Sequence, residues 1–285
     1  LLTARGLYGT AWLSPLETAA FAAGCTTRIG IATGILIAAL RNPVFLAKEI
    51  ASLQFLSGGR FELDVGLGWH AHEFEVAGVP LKERGRRTDE MLGIFDELWT
   101  GRPVTHRGRY YSFDDVQIDP PLPQRPRLWV AGGSKIKTDM SPDPETMAPS
   151  VLERICRRAD GWLARAAGST ESVIADWALI RRRLGQLGRA PDSVTFGHLN
   201  FVHIVPTDDD AAAQAVQRPL IERIMGPHRS FEHLQTCYFL GSPRRIRARI
   251  AELRDAGLEF LVLTPLEYDV EQLDLWHDEI VRHFR

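Results

Sequence analysis

The feature that most constrains this chain is an alternation of short apolar segments with longer amphipathic ones. Short buried strands separated by helices build a parallel sheet, because only a crossover helix returns the chain to the same end. Residues 28–36 (RIGIATGIL) read as a strand that is apolar on both faces and rich in β-branched side chains. Asn42-Pro43 opens a helix that runs to Leu56 and ends at Ser57-Gly58-Gly59. Further strands are expected at 61–67, 127–131, 161–164, 194–205 and 260–264, and a helix over 83–100 carries Leu92, Phe95, Leu98 and Trp99 on its inner face. Six strand–helix units predict an α/β (β/α)8 TIM barrel, with an open doubly wound sheet as the rival. On that count one or two N-terminal βα units are expected to lie outside the sequence that starts at Leu1, and residues 1–285 are expected to form a single domain.

Charge and cysteine usage remove several classes of function. A net charge of −2 gives no broad attraction to phosphate backbones, so nucleic acid is not an expected partner. No apolar run approaches the roughly 18 residues that cross a bilayer, and no membrane partner is expected. Cys25, Cys156 and Cys237 are far apart and lack a CxxC pair, which predicts reduced core thiols and a cytoplasmic location.

In a parallel α/β fold the chemistry belongs at the carboxyl ends of the strands. Those ends carry Thr33-Gly34-Ile35-Leu36, then Gly66-Leu67-Gly68-Trp69-His70-Ala71-His72, then Gly132-Gly133-Ser134-Lys135, and finally Arg165 and Pro265. Glycines at such positions admit a flat or phosphorylated ligand close to the backbone, because a Cβ would stand in the way. Gly132-Gly133-Ser134, with Lys135 and Lys137 just beyond, reads as a phosphate cradle or as a tight strand-to-loop turn. The stretch from Gly66 to Ala71 fits the dinucleotide pattern G-x-G-x-x-[GA]. A helix should then begin at once, and the next clear one is expected only after Pro80, which argues against that use.

His70-Ala71-His72 has metal-site spacing, yet the later strand ends carry Gly132, Arg165 and Pro265 in place of further ligands, so no metal is expected. His70 and His72 are expected to point the same way, toward a ring or a substrate, with helix capping as the plainer role. Trp69 sits in a glycine-rich loop where core packing does not explain it, whereas Trp12, Trp99, Trp129, Trp162 and Trp177 are expected to pack in the core. The charge cluster from Glu83 to Glu90 reads as local salt bridging at a helix start.

Longer stretches of the chain carry a family likeness. They are TTRIGIATGIL, NPVFLAKEIASLQFLSGGRFELDVGLGW, RGRRTDEML, ELWTGRPVTHRGRYY, LWVAGGS, ADGW and the closing AGLEFLVL. Together these resemble the bacterial luciferase-like family of flavin- and deazaflavin-dependent oxidoreductases. The GLGWHAHEFEVAGVPLKERGRR stretch is most similar to the actinobacterial branch that uses coenzyme F420, an 8-hydroxy-5-deazaflavin. The resemblance implies a homodimeric barrel enzyme that transfers hydride between reduced F420 and a small organic substrate. An FMN-dependent monooxygenase and a non-catalytic cofactor-binding protein are the alternatives. It implies Trp69, His70 and His72 near the chemistry, and Gly34, Ile35, Gly66, Gly68, Gly132, Gly133, Ser134, Lys135 and Arg165 around the cofactor. A cis bond between Gly34 and Ile35 behind the ring and a lid over 135–149 are implied as well.

Overall fold

The structure is a computed structural model that describes residues 12–135, 146–226 and 229–284. The lid segment and Lys137 lie largely outside the described residues. The chain forms two compact units.

The first unit holds the described residues of 12–131 together with Arg157–Asp160. It runs α1 (Pro15–Cys25), β1 (Ile31–Ala32), α2 (Pro43–Leu56), β2 (Phe61–Val65), α3 (Ala71–Val76), α4 (Arg84–Leu98), the hairpin strands β3 (Val104–Arg107) and β4 (Ser112–Val116), and then β5 (Leu128–Gly132). β2 is the middle strand: it pairs in parallel with β1 through Ile31↔Phe61 and with β5 through Leu63↔Leu128. α2 starts as its sequence dictates, with Asn42 Oδ1 accepting the Val44 and Phe45 N–H groups at 2.9 and 3.3 Å. It stops where Gly58 and Gly59 take φ of 64° and 81°, a region open to glycine and costly for residues with a Cβ.

Three expectations in this unit are revised. The strand expected over 28–36 pairs regularly only at Ile31–Ala32; the chain then bulges and rejoins the sheet at Leu36, opposite Val65. Within the bulge the Thr33 hydroxyl donates to Asp64 O and accepts from Asp64 N, so a side chain replaces the missing ladder contacts. The helix sought after Pro80 is preceded by α3, which opens directly at Ala71. The β3–β4 hairpin has no counterpart in the strand series above. It is fastened by Glu90 of α4, whose carboxylate accepts the Tyr110 and Tyr111 N–H groups and pairs with His106 at 3.2 Å. This contact and the Glu83–Arg87 pair give the expected salt-bridged role to the charge cluster.

The second unit holds the described residues of Gly132–Cys156 and Gly161–Arg285. Its elements are α5 (Pro149–Arg158), β6 (Gly161–Ala164), α6 (Thr170–Gln186), β7 (Thr195–Val202), α7 (Asp210–Met225), α8 (Phe231–Cys237), α9 (Pro243–Asp255), β8 (Phe260–Pro265) and α10 (Glu271–Glu279). The strands pair in parallel in the order β6-β7-β8. Ser169, Asp209 and Ser242 cap α6, α7 and α9 by accepting first-turn N–H groups, which fixes where each crossover helix begins. Trp162, Trp177 and Phe196 stack at centroid distances of 5.0–6.1 Å to form the aromatic centre of the core.

Trp99, Trp129, Trp162 and Trp177 are buried as expected, but Trp12 is half exposed. Cys156 and Cys237 are buried free thiols, whereas Cys25 at the end of α1 is exposed and no core thiol. His203 falls just past the end of β7 rather than inside it. No helix among the described residues is long and apolar enough to cross a membrane.

Candidate cofactor site

The first unit assembles its strand-end residues around the bulge after β1. Asp64 O accepts both the Thr33 hydroxyl at 2.9 Å and the Leu36 N–H at 2.8 Å, and Gly66 N–H donates to Leu36 O at 3.0 Å. The Gly34–Ile35 peptide bond is cis, as the resemblance implied. Ile35 lies flat against Gly66: a Cβ built there would meet Ile35 Cδ1 at 2.0 Å. Gly68, at φ 71°, is similarly hemmed by Ile37 and Phe74. Both glycines are therefore required by the protein's own packing, and the space their missing Cβ atoms leave is filled by neighbouring side chains, not by a ligand.

Beyond β2, Trp69 is 53% exposed and its ring stands edge-on to His70 at 5.3 Å. His70 occupies the N-cap position of α3 without making a side-chain capping bond. His72 lies within the helix and pairs with Glu75 at 3.1 Å. Because the spacing falls on a helix, where successive residues turn by roughly 100°, His70 and His72 do not share a direction. No cluster of three or more metal-ligating side chains is present among the described residues.

The residue that sequence reasoning missed is Asp64. Strand alternation places Leu63 on the side of α4, where it lines a cavity with Leu92, Phe95 and Trp99, and so places Asp64 on the opposite face. Asp64 is 4% exposed, and its Oδ1 has no hydrogen-bond partner. Burial, with a smaller contribution from Glu62, pushes its carboxyl up to about 8. The only signal in the sequence was the alternation of two acidic residues, Glu62 and Asp64, with apolar ones along the strand.

The second unit brings Gly133, Ser134 and Arg165 together, but around a carboxylate. Ser134 donates its backbone N–H to Asp176 Oδ2 at 2.6 Å and its hydroxyl to Asp176 Oδ1. A Cβ on Gly133 would lie 2.9 Å from the same carboxylate and 3.4 Å from Arg165 Cγ, and one on Gly132 would meet Val151 at 2.7 Å. The two Ser134 donors of the expected phosphate cradle are thus engaged by Asp176. Burial raises the Asp176 carboxyl above its ordinary range, against the two Ser134 hydrogen bonds and the nearby Arg165 charge. Lys135 follows, exposed to solvent.

Parallel βα units carrying polar and aromatic side chains at their strand ends define an α/β protein of the class that works at the carboxyl edge of its sheet. The family likeness follows from the sequence: residues 2–141 match the luciferase-like monooxygenase family. The FMNH2-dependent dimethylsulfone monooxygenase of Pseudomonas putida is 24% identical over 263 residues, which cover 81% of this chain and 68% of that protein. The chain spans about half the length, 49%, of a Mycobacterium tuberculosis relative of uncharacterized function that is 31% identical over 153 residues. Among solved structures, monooxygenase RslO1 from Streptomyces bottropensis shares the fold at a TM-score of 0.75, with 22% identity over 98% of this chain and 85% of that one. An F420-dependent secondary alcohol dehydrogenase does so at 0.73, with 18% identity over 94% and 84%.

Proposed function

We propose that this chain is an oxidoreductase that holds a reduced flavin-type ring against the Gly34–Ile35 bulge and acts on a small organic substrate. The observation that carries the reading is the clamped bulge itself. Thr33 and Leu36 are tied to Asp64, and Ile35 is seated on Gly66, so a shaped and rigid surface stands at the carboxyl end of β2. The residues fit such a ring: Asp64 offers an unmet polar atom, and Trp69 offers an exposed aromatic face. The bound ring would supply the redox chemistry, and the protein the position, the dry surroundings and the protons. His70, at the strand end beside Trp69, is the proposed proton donor.

FMN is the favoured cofactor, supported by the likeness to an FMNH2-dependent enzyme across 81% of the chain. Coenzyme F420 is the second reading, favoured by the resemblance of residues 66–87 to the branch that uses it. Closure of the full barrel with eight strands, a single domain, a homodimer and residence in the cytoplasm belong to the same proposal. Titrating purified protein with FMN and with F420, followed by absorbance, tests it. Saturable binding of either ring with a shifted spectrum is expected, and binding of neither would remove the reading.

A further inference from the structure

Asp64 is a buried ionisable group beside the bulge whose role toward a bound ring the reading above leaves undefined. Its surroundings settle its form. On its own strand the only charge facing the same way is Glu62, which accepts the Trp129 indole N–H and lies 3.8 Å from Arg127. Trp129 stands opposite Asp64 in the β2–β5 register and brings no charge. The bulge contributes Thr33, Gly34, Ile35 and Leu36, none of them ionisable, and the Thr33 hydroxyl is occupied by the backbone of Asp64. Among the described residues no cation is found to act on this carboxyl, and burial pushes it up to about 8. A buried polar atom left without a partner is an exception in folded proteins and calls for an occupant.

We infer that Asp64 is a neutral acid whose O–H donates a hydrogen bond to an acceptor atom, a carbonyl oxygen or imine nitrogen, of the group bound against the Gly34–Ile35 bulge. This rests on the flavin-type reading, since the pyrimidine half of such a ring presents acceptors of that kind. The role is recognition and electronic tuning rather than proton transfer. Donation to the ring favours a build-up of negative charge on it, and ionisation of Asp64 replaces that donor with a repelling anion.

The test compares wild type, Asp64→Asn and Asp64→Leu, each titrated with FMN and with F420 at about pH 6 and about pH 9.5. Asn keeps a donor and cannot ionise, whereas Leu keeps approximate volume and loses the donor. Wild type should bind the ring roughly tenfold or more weakly at the higher pH. Asp64→Asn should bind within about threefold at both, and Asp64→Leu should be weak at both. A second readout needs no turnover: the infrared carbonyl band of a protonated carboxyl, absent from Asp64→Asn, should be present in the free protein and shift when the ring binds. Binding of neither ring to wild type removes the flavin-type reading and this inference with it. Ring binding that is indifferent to pH and to Asp64→Leu, with a carboxyl band that does not move, overturns this inference alone.

Discussion

Ser134 gives both its backbone N–H and its hydroxyl to one carboxylate, that of Asp176, at the position where the strand after Pro126 ends. A loop rich in donors looks from the sequence like a phosphate cradle, and the fold fills it with an internal anion. The two uses compete, because a phosphate would have to displace Asp176 or share its donors. Asp176→Asn keeps the shape and removes the charge. If the cofactor phosphate uses Ser134, this change should strengthen FMN binding relative to riboflavin by roughly threefold to tenfold, the worth of about one hydrogen bond. An unchanged FMN-to-riboflavin ratio would place the phosphate elsewhere.

Gly66 and Ile35 form a matched pair. Gly66→Ala would drive a Cβ into Ile35 Cδ1, and the strain of overpacking is expected to cost about 1–3 kcal/mol. Ile35→Val removes that methyl, so the double variant should regain most of the loss. Urea unfolding of the two single variants and the double would give the coupling; additive losses would show that the contact is not the cause.

The aromatic stack of the second unit should dominate its stability. Trp177 is buried against Trp162 and Phe196, and Trp177→Ala is expected to cost about 3–5 kcal/mol through the cavity it leaves. The measurement is the denaturant midpoint at constant slope. A loss below about 1 kcal/mol would contradict the packing.

Two buried groups tilt stability with pH in opposite senses. Asp64 is raised from 3.8 to about 8, so the folded chain holds a proton that the unfolded chain has released between those values. Stability from this group is complete below about 4 and falls as pH rises toward 8. Asp64→Asn should flatten that alkaline decline, by an amount on the order of a few kcal/mol at roughly 1.4 kcal/mol per unit. Thermal melts of both proteins from about pH 5 to about pH 9 decide it, and parallel curves would refute it.

His198 runs the other way. Burial lowers it from 6.5 to about 4, so the unfolded chain takes up a proton first as pH falls. Stability is full above about 6.5 and is lost as pH drops toward 4, by up to about 3 kcal/mol. His203 is lowered by burial too and adds in the same direction. His198→Gln should remove part of the acid limb seen in melts, and an unaltered limb would assign it to other groups.

Much of the architecture was legible because strands and helices advertise themselves through local period and capping chemistry. Asn42-Pro43, Ser169, Asp209 and Ser242 each set a helix start from within a few residues. The bulge after β1 was harder to read, since its contacts run to Asp64, 31 residues away from Thr33. α3 was missed because six residues without a capping side chain leave almost no periodic signal. The glycines at the strand ends were found but misread in part. Sequence shows that a Cβ is absent, and only the fold shows that Ile35, Ile37, Val151 and Asp176 stand where it would be.

The sequence by itself determined the parallel βα series, the family likeness and the glycine-rich strand ends, because each follows from local patterns and short motifs. Only the tertiary structure decided what those ends do. It turned His70 and His72 apart on a helix, gave Ser134 to Asp176, and left the Asp64 carboxyl buried with one oxygen unmet. Burial and partnership are properties of distant segments brought together, and an acidic residue within a strand reveals its charge state only once its neighbours are in place.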